Sequence, residues 1–145
     1  MLVERILREK GSEVASIAAD ESVRRAVAML RQRNVGALLV TDQGDPLAGI
    51  ISERDIVRAL ADHGASALDL SVQRLMTADV VTVDPHAPLD SLMAIMTERR
   101  IRHVPVCDDR GAIQGIVSIG DVVKRRLEEL ETENAQIVDY INVGR

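Results

Sequence analysis

Aromatic residues are nearly missing from this 145-residue sequence, which has no phenylalanine or tryptophan and a single tyrosine, Tyr140. Proteins that hold single-stranded nucleic acid usually stack its bases on aromatic rings, so that mode of binding is excluded. The net charge of -5 also argues against a nucleic-acid surface, which needs a basic face. We therefore expect no nucleic-acid partner, and any bound base must lie against aliphatic side chains.

Cysteine is as scarce as the aromatic residues. The only one, Cys107, excludes an internal disulfide and leaves too few thiols for a structural zinc site. The histidines at positions 63, 86 and 103 are dispersed and show no metal-ligand spacing. We expect no metal.

Long hydrophobic runs are also missing, since no stretch approaches the roughly 18 apolar residues that a membrane-spanning helix needs. The first ten residues, MLVERILREK, carry charges throughout and do not resemble a signal peptide. These features predict a cytoplasmic protein with no membrane partner. Neither GxxxxGK[ST] nor GxGxxG occurs, so the usual basis for nucleotide hydrolysis or hydride transfer is missing and we expect no catalysis and no catalytic cofactor.

An internal repeat organises the chain. Shifting the sequence by 66 residues aligns its halves without a gap, and the segment 49–57 (GIISERDIV) falls on 115–123 (GIVSIGDVV). Upstream, Val40 falls on Val106 and Asp42 on Asp108. Two copies of one supersecondary unit are therefore expected, related by pseudo-two-fold symmetry.

Each copy is predicted to have the order β-α-β-β-α. The expected strands are 14–17, 37–40 and 47–51 in the first copy and 80–83, 103–106 and 113–117 in the second. Apolar stripes on the first helix of each copy should face the core: Val23, Val27 and Leu30, then Leu89, Leu92, Met93 and Met96. We predict a mixed α/β fold in which repeats 14–64 and 76–131 pack through their sheets, with an N-terminal helix in 1–13 and a C-terminal helical extension, 132–145.

The repeated motif resembles that of a known family. Gly-apolar-apolar-Ser-x-x-Asp in both halves, the stretch 102–106 (RHVPV), and the segment from Met76-Thr77 through Val83 together resemble a CBS-domain pair, or Bateman module. The resemblance runs from about Val14 to Leu130. It implies a regulatory module whose cleft holds AMP, ADP, ATP or NAD(H), and whose occupancy is sensed by a separate, unidentified protein.

Two Ser-x-x-Asp segments would supply the polar groups of the clefts. Ser52 and Ser118 stand where a strand becomes a helix, so their hydroxyls and the following backbone N–H groups are expected to receive phosphate oxygens. One turn later, Asp55 and Asp121 can accept the hydroxyl protons of a ribose. This pattern favours ribonucleotides over free phosphate.

The resemblance also implies where the rest of a nucleotide lies. Adenine is expected near Ser16-Ile17 and Thr82-Val83, and the phosphate tail of the Ser52/Asp55 site near Arg102 and His103, with Arg54 as a further cation. The second site has Gly120 in place of Arg54, and Gly36 and Ala37 stand at the positions that match Arg102 and His103. We therefore expect the Ser52/Asp55 site to prefer the more phosphorylated or larger ligand, and the second site to be empty or to hold AMP. The strand residue Pro105 completes the expected set.

Other interpretations remain open. Ser-x-x-Asp is also close to a helix capping box that needs no ligand, and the protein would then be a structural or interaction module with vestigial clefts. His103 and Cys107 lie four residues apart on one strand and could share a face, the one arrangement that suggests a thiol enzyme.

The C-terminal residues carry an apolar seam with alternating spacings of four and three: Val123, Leu127, Leu130, Asn134, Ile137 and Ile141. Such spacing is typical of a coiled coil, in which one polar core residue sets the register. The alternative is a helix packed on its own domain. We predict a homodimer.

Overall fold

The computed structural model describes residues 1–11 and 13–143. Its helices are α1 (Val3–Lys10), α2 (Val23–Arg33), α3 (Glu53–His63), α4 (Val72–Leu75), α5 (Leu89–Arg99) and α6 (Ile119–Val143), with a 3-10 turn at Gly64–Asp69. Its strands are β1 (Ser16–Ala18), β2 (Ala37–Asp42), β3 (Asp45–Ser52), β4 (His103–Cys107) and β5 (Ile113–Ser118). Ser12, Gly144 and Arg145, which belong to the predicted terminal segments, lie outside the described residues. The predicted mixed α/β class with additional N- and C-terminal helices is confirmed.

The chain divides into two compact units. The repeat-1 unit is Glu13–Thr82, and the repeat-2 unit combines the described residues of 83–145 with those of 1–12. Each unit has its own hydrophobic core, built from the buried faces of its helices and sheet. The N-terminal helix therefore belongs structurally to the second repeat.

In the repeat-1 unit the sheet has the order β1-β2-β3. β1 runs parallel to β2, with Ile17 opposite Val40, and β3 returns antiparallel, with Gly49 opposite Val40. β2 reads as an uninterrupted apolar segment from Ala37 to Val40, and all four of these residues are buried, as the central strand of a covered sheet requires.

Helix α2 begins at a side-chain cap, because the hydroxyl of Ser22 accepts a hydrogen bond from the N–H of Arg25. Its buried residues are Val23, Ala26 and Leu30. The expectation that Val27 faces the core is wrong, since this side chain is exposed. At about 100° per residue, Ala26 and Leu30 lie on the same side of Val23 around the helix axis, and Val27 lies on the other side. Val27 is therefore at the edge of the buried face.

In the repeat-2 unit β4 and β5 form an antiparallel hairpin, and the predicted strand at 80–83 is wrong except for one isolated bridge between Val83 and Val106. Val83 N–H donates to the carbonyl of Pro105 at 3.0 Å and its carbonyl accepts from Cys107 N–H at 2.9 Å. Extending this parallel ladder toward Val81 would need an N–H that Pro105 lacks. In the first repeat, Leu39 holds that position and donates to Ala15 at 3.0 Å, so β1 forms.

Helix α1 docks on the second repeat as α4 docks on the first. Val3 N–H donates to Ala87 O at 2.9 Å and Glu4 N–H to Pro85 O at 2.8 Å. The corresponding bonds of α4 run from Val72 and Gln73 to the carbonyls of Glu21 and Ala19, which are the counterparts of Ala87 and Pro85 in the repeat. The two units are thus built alike, although α4 follows its repeat in the sequence and α1 lies at the start of the chain, far from the repeat on which it docks.

Helix α6 is continuous over 25 residues and is ~37 Å long at about 1.5 Å per residue. Its first turns pack on the repeat-2 unit, where Val122 is buried, but every residue from 130 to 143 is exposed. Among the described helices, none combines the length and apolar character needed to cross a membrane.

Candidate functional site

The junction of β3 and α3 is a complete capping box. The hydroxyl of Ser52 accepts a hydrogen bond from Asp55 N–H, and Asp55 Oδ2 accepts both the N–H of Ser52 at 2.8 Å and its hydroxyl at 3.0 Å. This reciprocal bonding fixes the helix start and holds the half-buried carboxylate beside the end of the strand.

The junction of β5 and α6 repeats this arrangement with one addition. Asp121 Oδ2 accepts the N–H of Ser118 at 2.9 Å, and Asp121 N–H donates to the Ser118 hydroxyl at 3.2 Å. The same Oδ2 also accepts a hydrogen bond from Lys10 Nζ at 2.6 Å. Burial by itself would raise the pKa of Asp121, but the hydrogen bonds from Lys10 and Ser118 outweigh it and hold that pKa below its ordinary value.

The expectation of free backbone N–H groups for phosphate at these helix starts is wrong for two positions at each site. Glu53 N–H donates to Gly36 O at 3.0 Å, and Ile119 N–H donates to Arg102 O at 2.8 Å. The N–H groups of Asp55 and Asp121 donate to their capping serines. These bonds satisfy donors that the first turn of a helix otherwise leaves without a partner, and the loop before each hairpin supplies one of the two acceptors in both repeats.

The segments expected to hold adenine lie at the sheet edges of their own units. Ser16 and Ile17 lie in β1, where Ser16 is exposed and Ile17 is buried beside Val40. Val83 is buried in its bridge to Val106, whereas Thr82 is exposed outside any strand. The side chains of Ser16 and Thr82 are therefore accessible to a ligand, whereas those of Ile17 and Val83 belong to the hydrophobic cores.

The expected cations fall in different places. Arg54 lies in the exposed first turn of α3, beside Ser52 and Asp55 in sequence. Arg102 and His103 lie before and at the start of β4, where His103 is the cross-strand partner of Ser118. The assignment of Arg102 and His103 to the Ser52/Asp55 site stays a prediction.

The other two expected residues differ in how far packing constrains them. Pro105 is fully buried in β4. Gly120 lies in the first turn of α6, and the nearest atom to a Cβ built there would be the Ser118 hydroxyl at 3.6 Å, an ordinary contact. The site therefore has room for a side chain at position 120.

The motif glycines have a packing role that the sequence did not reveal. A Cβ on Gly49 would lie 2.6 Å from Met76 Sδ and 2.9 Å from the carbonyl oxygen of Thr77. A Cβ on Gly115 would lie 2.7 Å from a methyl carbon of Leu7. Each glycine admits the segment that docks against its strand, so its presence in the motif does not by itself indicate a ligand.

The thiol arrangement considered from sequence does not form. His103 and Cys107 lie at opposite ends of β4, and four residues at about 3.3 Å each separate them by ~13 Å. Burial, together with the neighbouring Asp108, raises the pKa of Cys107, which disfavours a thiolate. No cluster of metal-ligating side chains occurs among the described residues.

An open groove of about 230 Å³ runs along α3 in the repeat-1 unit. It is smaller than the ~300–1,000 Å³ of most small-molecule pockets. Its lining residues are Asp55, Arg58, Ala59, Asp62, His63, Leu70, Arg74 and Leu75. The groove reaches Asp55, so one end of it opens at the first capping box.

Comparison with known proteins identifies the family. The CBS domain model matches residues 3–62 and 72–128, and the chain belongs to the CBS-domain family. A mitochondrial CBS-domain-containing protein of Arabidopsis thaliana is 42% identical over 129 residues, which are 86% of this chain and 62% of that protein. The chain thus spans less than two thirds of that relative.

Solved CBS-domain structures share the fold. A CBS-domain-containing protein from Agrobacterium tumefaciens is 43% identical, with a TM-score of 0.83 over 86% of this chain and 92% of its own. A CBS-domain pair solved with 5'-methylthioadenosine and S-adenosyl-L-methionine is 28% identical, with a TM-score of 0.78 over 89% and 98% of the two chains. A Pyrobaculum aerophilum CBS-domain protein complexed with AMP is 26% identical, with a TM-score of 0.74 over 83% and 89%.

Proposed function

We propose that this protein is a regulatory module that binds an adenosine-containing ligand, among AMP, ADP, ATP, NAD(H) and S-adenosyl compounds, and catalyses no reaction. Binding would report the energy or redox state of the cell to a separate protein. The observation that carries this proposal is the pair of half-buried carboxylates, Asp55 and Asp121, each held at a strand-to-helix junction in a fold whose relatives were solved with AMP and with S-adenosyl-L-methionine.

The chemistry of the carboxylates suits a ribose. Asp55 and Asp121 each use Oδ2 for the cap, and a carboxylate has about four lone-pair sites, so the cap leaves acceptor capacity for ribose hydroxyls. The capping bonds also orient each carboxylate before a ligand arrives, which lowers the entropic cost of binding.

The test is a thermal-shift panel of AMP, ADP, ATP, NAD, NADH and S-adenosylmethionine on the wild type and on two single variants, Asp55→Asn and Asp121→Asn. Asparagine keeps an oxygen that can accept the serine N–H, so the cap is largely preserved while the anionic ribose acceptor is lost. We expect a stabilisation by at least one ligand that one of these substitutions abolishes. Stabilisation that survives both substitutions would contradict the proposed site.

A second candidate function is a structural or interaction module, and the completeness of the capping boxes favours it. The bonds of Ser52 and Asp55 to each other already explain why both residue types are needed at this helix start. No thermal shift with any of the six compounds would favour this function over nucleotide sensing.

We also propose that the partner of α6 is a second copy of this chain. Exposed apolar residues follow one face of the helix: Val123, Leu127, Leu130, Ile137 and Ile141, with Asn134 between them. The exposed part has no support from its own unit, and isolated helices shorter than ~12–15 residues are marginal in water. A helix partner would both bury this face and stabilise the helix.

Charges favour a parallel pair. In the heptad defined by Leu127 and Leu130, Arg126 and Glu131 occupy flanking positions that face each other across a parallel two-stranded coiled coil. In an antiparallel pair, Glu131 would instead face Glu131 of the second copy and Glu133 would face Glu133, so that like charges would repel. The parallel arrangement also places Asn134 against Asn134 of the second copy, where paired asparagines fix the register.

Light scattering on the wild type, Ile137→Glu and the outer-face control Gln136→Glu tests the pairing. We expect dimers for the wild type and the control, and a monomer for Ile137→Glu, because a buried glutamate pair cannot be compensated in the seam. A monomeric wild type would refute the dimer.

The cytoplasmic location stays a prediction, and the Arabidopsis relative is named as mitochondrial.

A further inference from the structure

The two capping boxes differ in what approaches them from the preceding helix. In the repeat-1 unit the chain leaves α4 at Met76, and Thr77 exchanges backbone hydrogen bonds with Ile50 of β3, at 2.8 and 3.0 Å. In the repeat-2 unit α1 is longer than α4 and continues to Lys10. The last turn of α1 therefore has no counterpart in the first repeat, where α4 has already ended and an extended segment follows.

Lys10 replaces the missing backbone bond. Its Nζ donates to the carbonyl of Ile116 at 2.9 Å, and Ile116 is the repeat counterpart of Ile50, whose carbonyl accepts from Thr77 N–H. The same ammonium group donates to Asp121 Oδ2 at 2.6 Å. One side chain thus bridges strand β5 and the carboxylate of the second capping box.

The end of α1 is fixed in this position by a second ion pair. Arg125 of α6 donates to Glu9 at 2.6 Å and to Met1 Sδ at 3.0 Å, and its side chain is largely buried. Lys10 also stands in the last turn of α1, where a cation interacts favourably with the helix dipole. The contact of Lys10 with Asp121 is therefore one of several polar contacts between the N-terminal segment and α6, both within the repeat-2 unit.

We propose that Lys10 is a specificity-determining residue that weakens adenosine binding at the Ser118/Asp121 site by occupying the carboxylate on which the ribose would dock. The inference rests on the proposed function. The ammonium shares Oδ2 with the cap and neutralises the carboxylate, so ribose hydroxyls that bond the remaining oxygen meet a weaker acceptor than at Asp55. The Ser52/Asp55 site, whose carboxylate is bonded by the hydroxyl and N–H of its own serine, is the stronger of the two.

The pKa of Asp121 is consistent with this role, because the Lys10 contact contributes to holding it below its ordinary value. A carboxylate that stays ionised and paired is a persistent competitor for any incoming donor. The chain's other lysine, Lys124, lies on the exposed face of α6 and therefore offers a matched control.

The experiment isolates the second site in an Asp55→Asn background. AMP is titrated by calorimetry into Asp55→Asn, into Asp55→Asn with Lys10→Met, and into Asp55→Asn with Lys124→Met as the matched control. Methionine keeps the length and apolar character of the lysine stem without its charge. We expect Lys10→Met to tighten AMP binding by about two- to fivefold, as the loss of a partly exposed ion pair would allow, with no change in the control.

Unchanged or weaker binding in the Lys10→Met background would overturn the inference, and weaker binding would make Lys10 a ligand of the phosphate instead. Wild-type protein that binds no adenosine compound would fail the proposed function itself, which separates the two failures. A ligand-free measurement adds an independent check: Lys10 should react with an acetylating reagent several-fold more slowly than Lys124. Equal rates would refute the contact on which the inference depends.

Discussion

Substituting alanine for each motif glycine separates packing against backbone from packing against a flexible side chain. At Gly49 the new methyl group would lie 2.9 Å from Thr77 O, an atom fixed by hydrogen bonds of the Ile50–Thr77 bridge, and 2.6 Å from Met76 Sδ. At Gly115 its neighbours are the terminal methyl groups of Leu7, at 2.7 and 3.5 Å. The first contact can be relieved only by displacing the backbone, whereas the second can be relieved by a rotation of one side chain.

The magnitudes follow from opposing terms. Overpacking a filled interior costs ~1–3 kcal/mol. Replacing glycine by alanine inside a strand returns ~0.5–1 kcal/mol. Gly49→Ala is therefore expected to destabilise by about 1–2 kcal/mol, which at ~3 °C per kcal/mol lowers Tm by about 3–6 °C. For Gly115→Ala the terms nearly cancel, and the change should stay within about 2 °C.

Thermal unfolding of both variants, followed by circular dichroism at one protein concentration, measures the difference. A double variant, Gly49→Ala with Met76→Ala, should recover part of the loss because the sulfur contact is removed while the Thr77 contact remains. Equal effects of Gly49→Ala and Gly115→Ala would refute the reasoning, since they would mean that the backbone carbonyl is no harder to displace than a leucine methyl.

Three further outcomes are expected. Ser52→Ala should lower stability by about 1 kcal/mol through the lost cap, measured by thermal unfolding beside Ser71→Ala, whose hydroxyl makes no capping bond; equal losses would contradict this. Since the folded-state pKa of Asp121 is lowered below its ordinary, unfolded-state value, its carboxylate stabilises the fold above that ordinary value, and the stabilisation is lost as the pH falls through the folded-state pKa. Urea midpoints should therefore fall less between pH ~7 and ~3 in Asp121→Asn than in the wild type, and parallel curves would refute it. Cys107, whose pKa is raised by burial and Asp108, should react slowly with a thiol reagent at neutral pH, and its alkylation should leave any AMP thermal shift unchanged.

The repeat itself was readable from the sequence, because it is recorded in aligned residues rather than in their packing. The gap-free match of 49–57 to 115–123 predicts two equal units, and both occur. The helix starts at Ser52 and Ser118 were also predictable, since a capping box acts between residues three apart in the chain. Both features can be found by comparing residues along the chain, without knowing which elements pack together.

Other features required the tertiary structure. Pro105 limits the predicted strand at 80–83 to a bridge only because Val83 lies beside it, and nothing local to 80–83 reveals that neighbour. The selection of Ala26 over Val27 for the core likewise depends on the direction in which α2 lies against its sheet.

The family pattern, the repeated elements and the residues at the two strand-to-helix junctions could therefore be predicted before the fold was known. The sequence also showed one difference between the junctions, Gly120 in place of Arg54, but only the tertiary structure revealed that Lys10 bonds the second carboxylate. Lys10 and Asp121 are separated by 111 residues and meet because α1 packs on the second repeat rather than on the first. Contacts over such separations depend on how whole elements dock, and no local propensity or spacing encodes them.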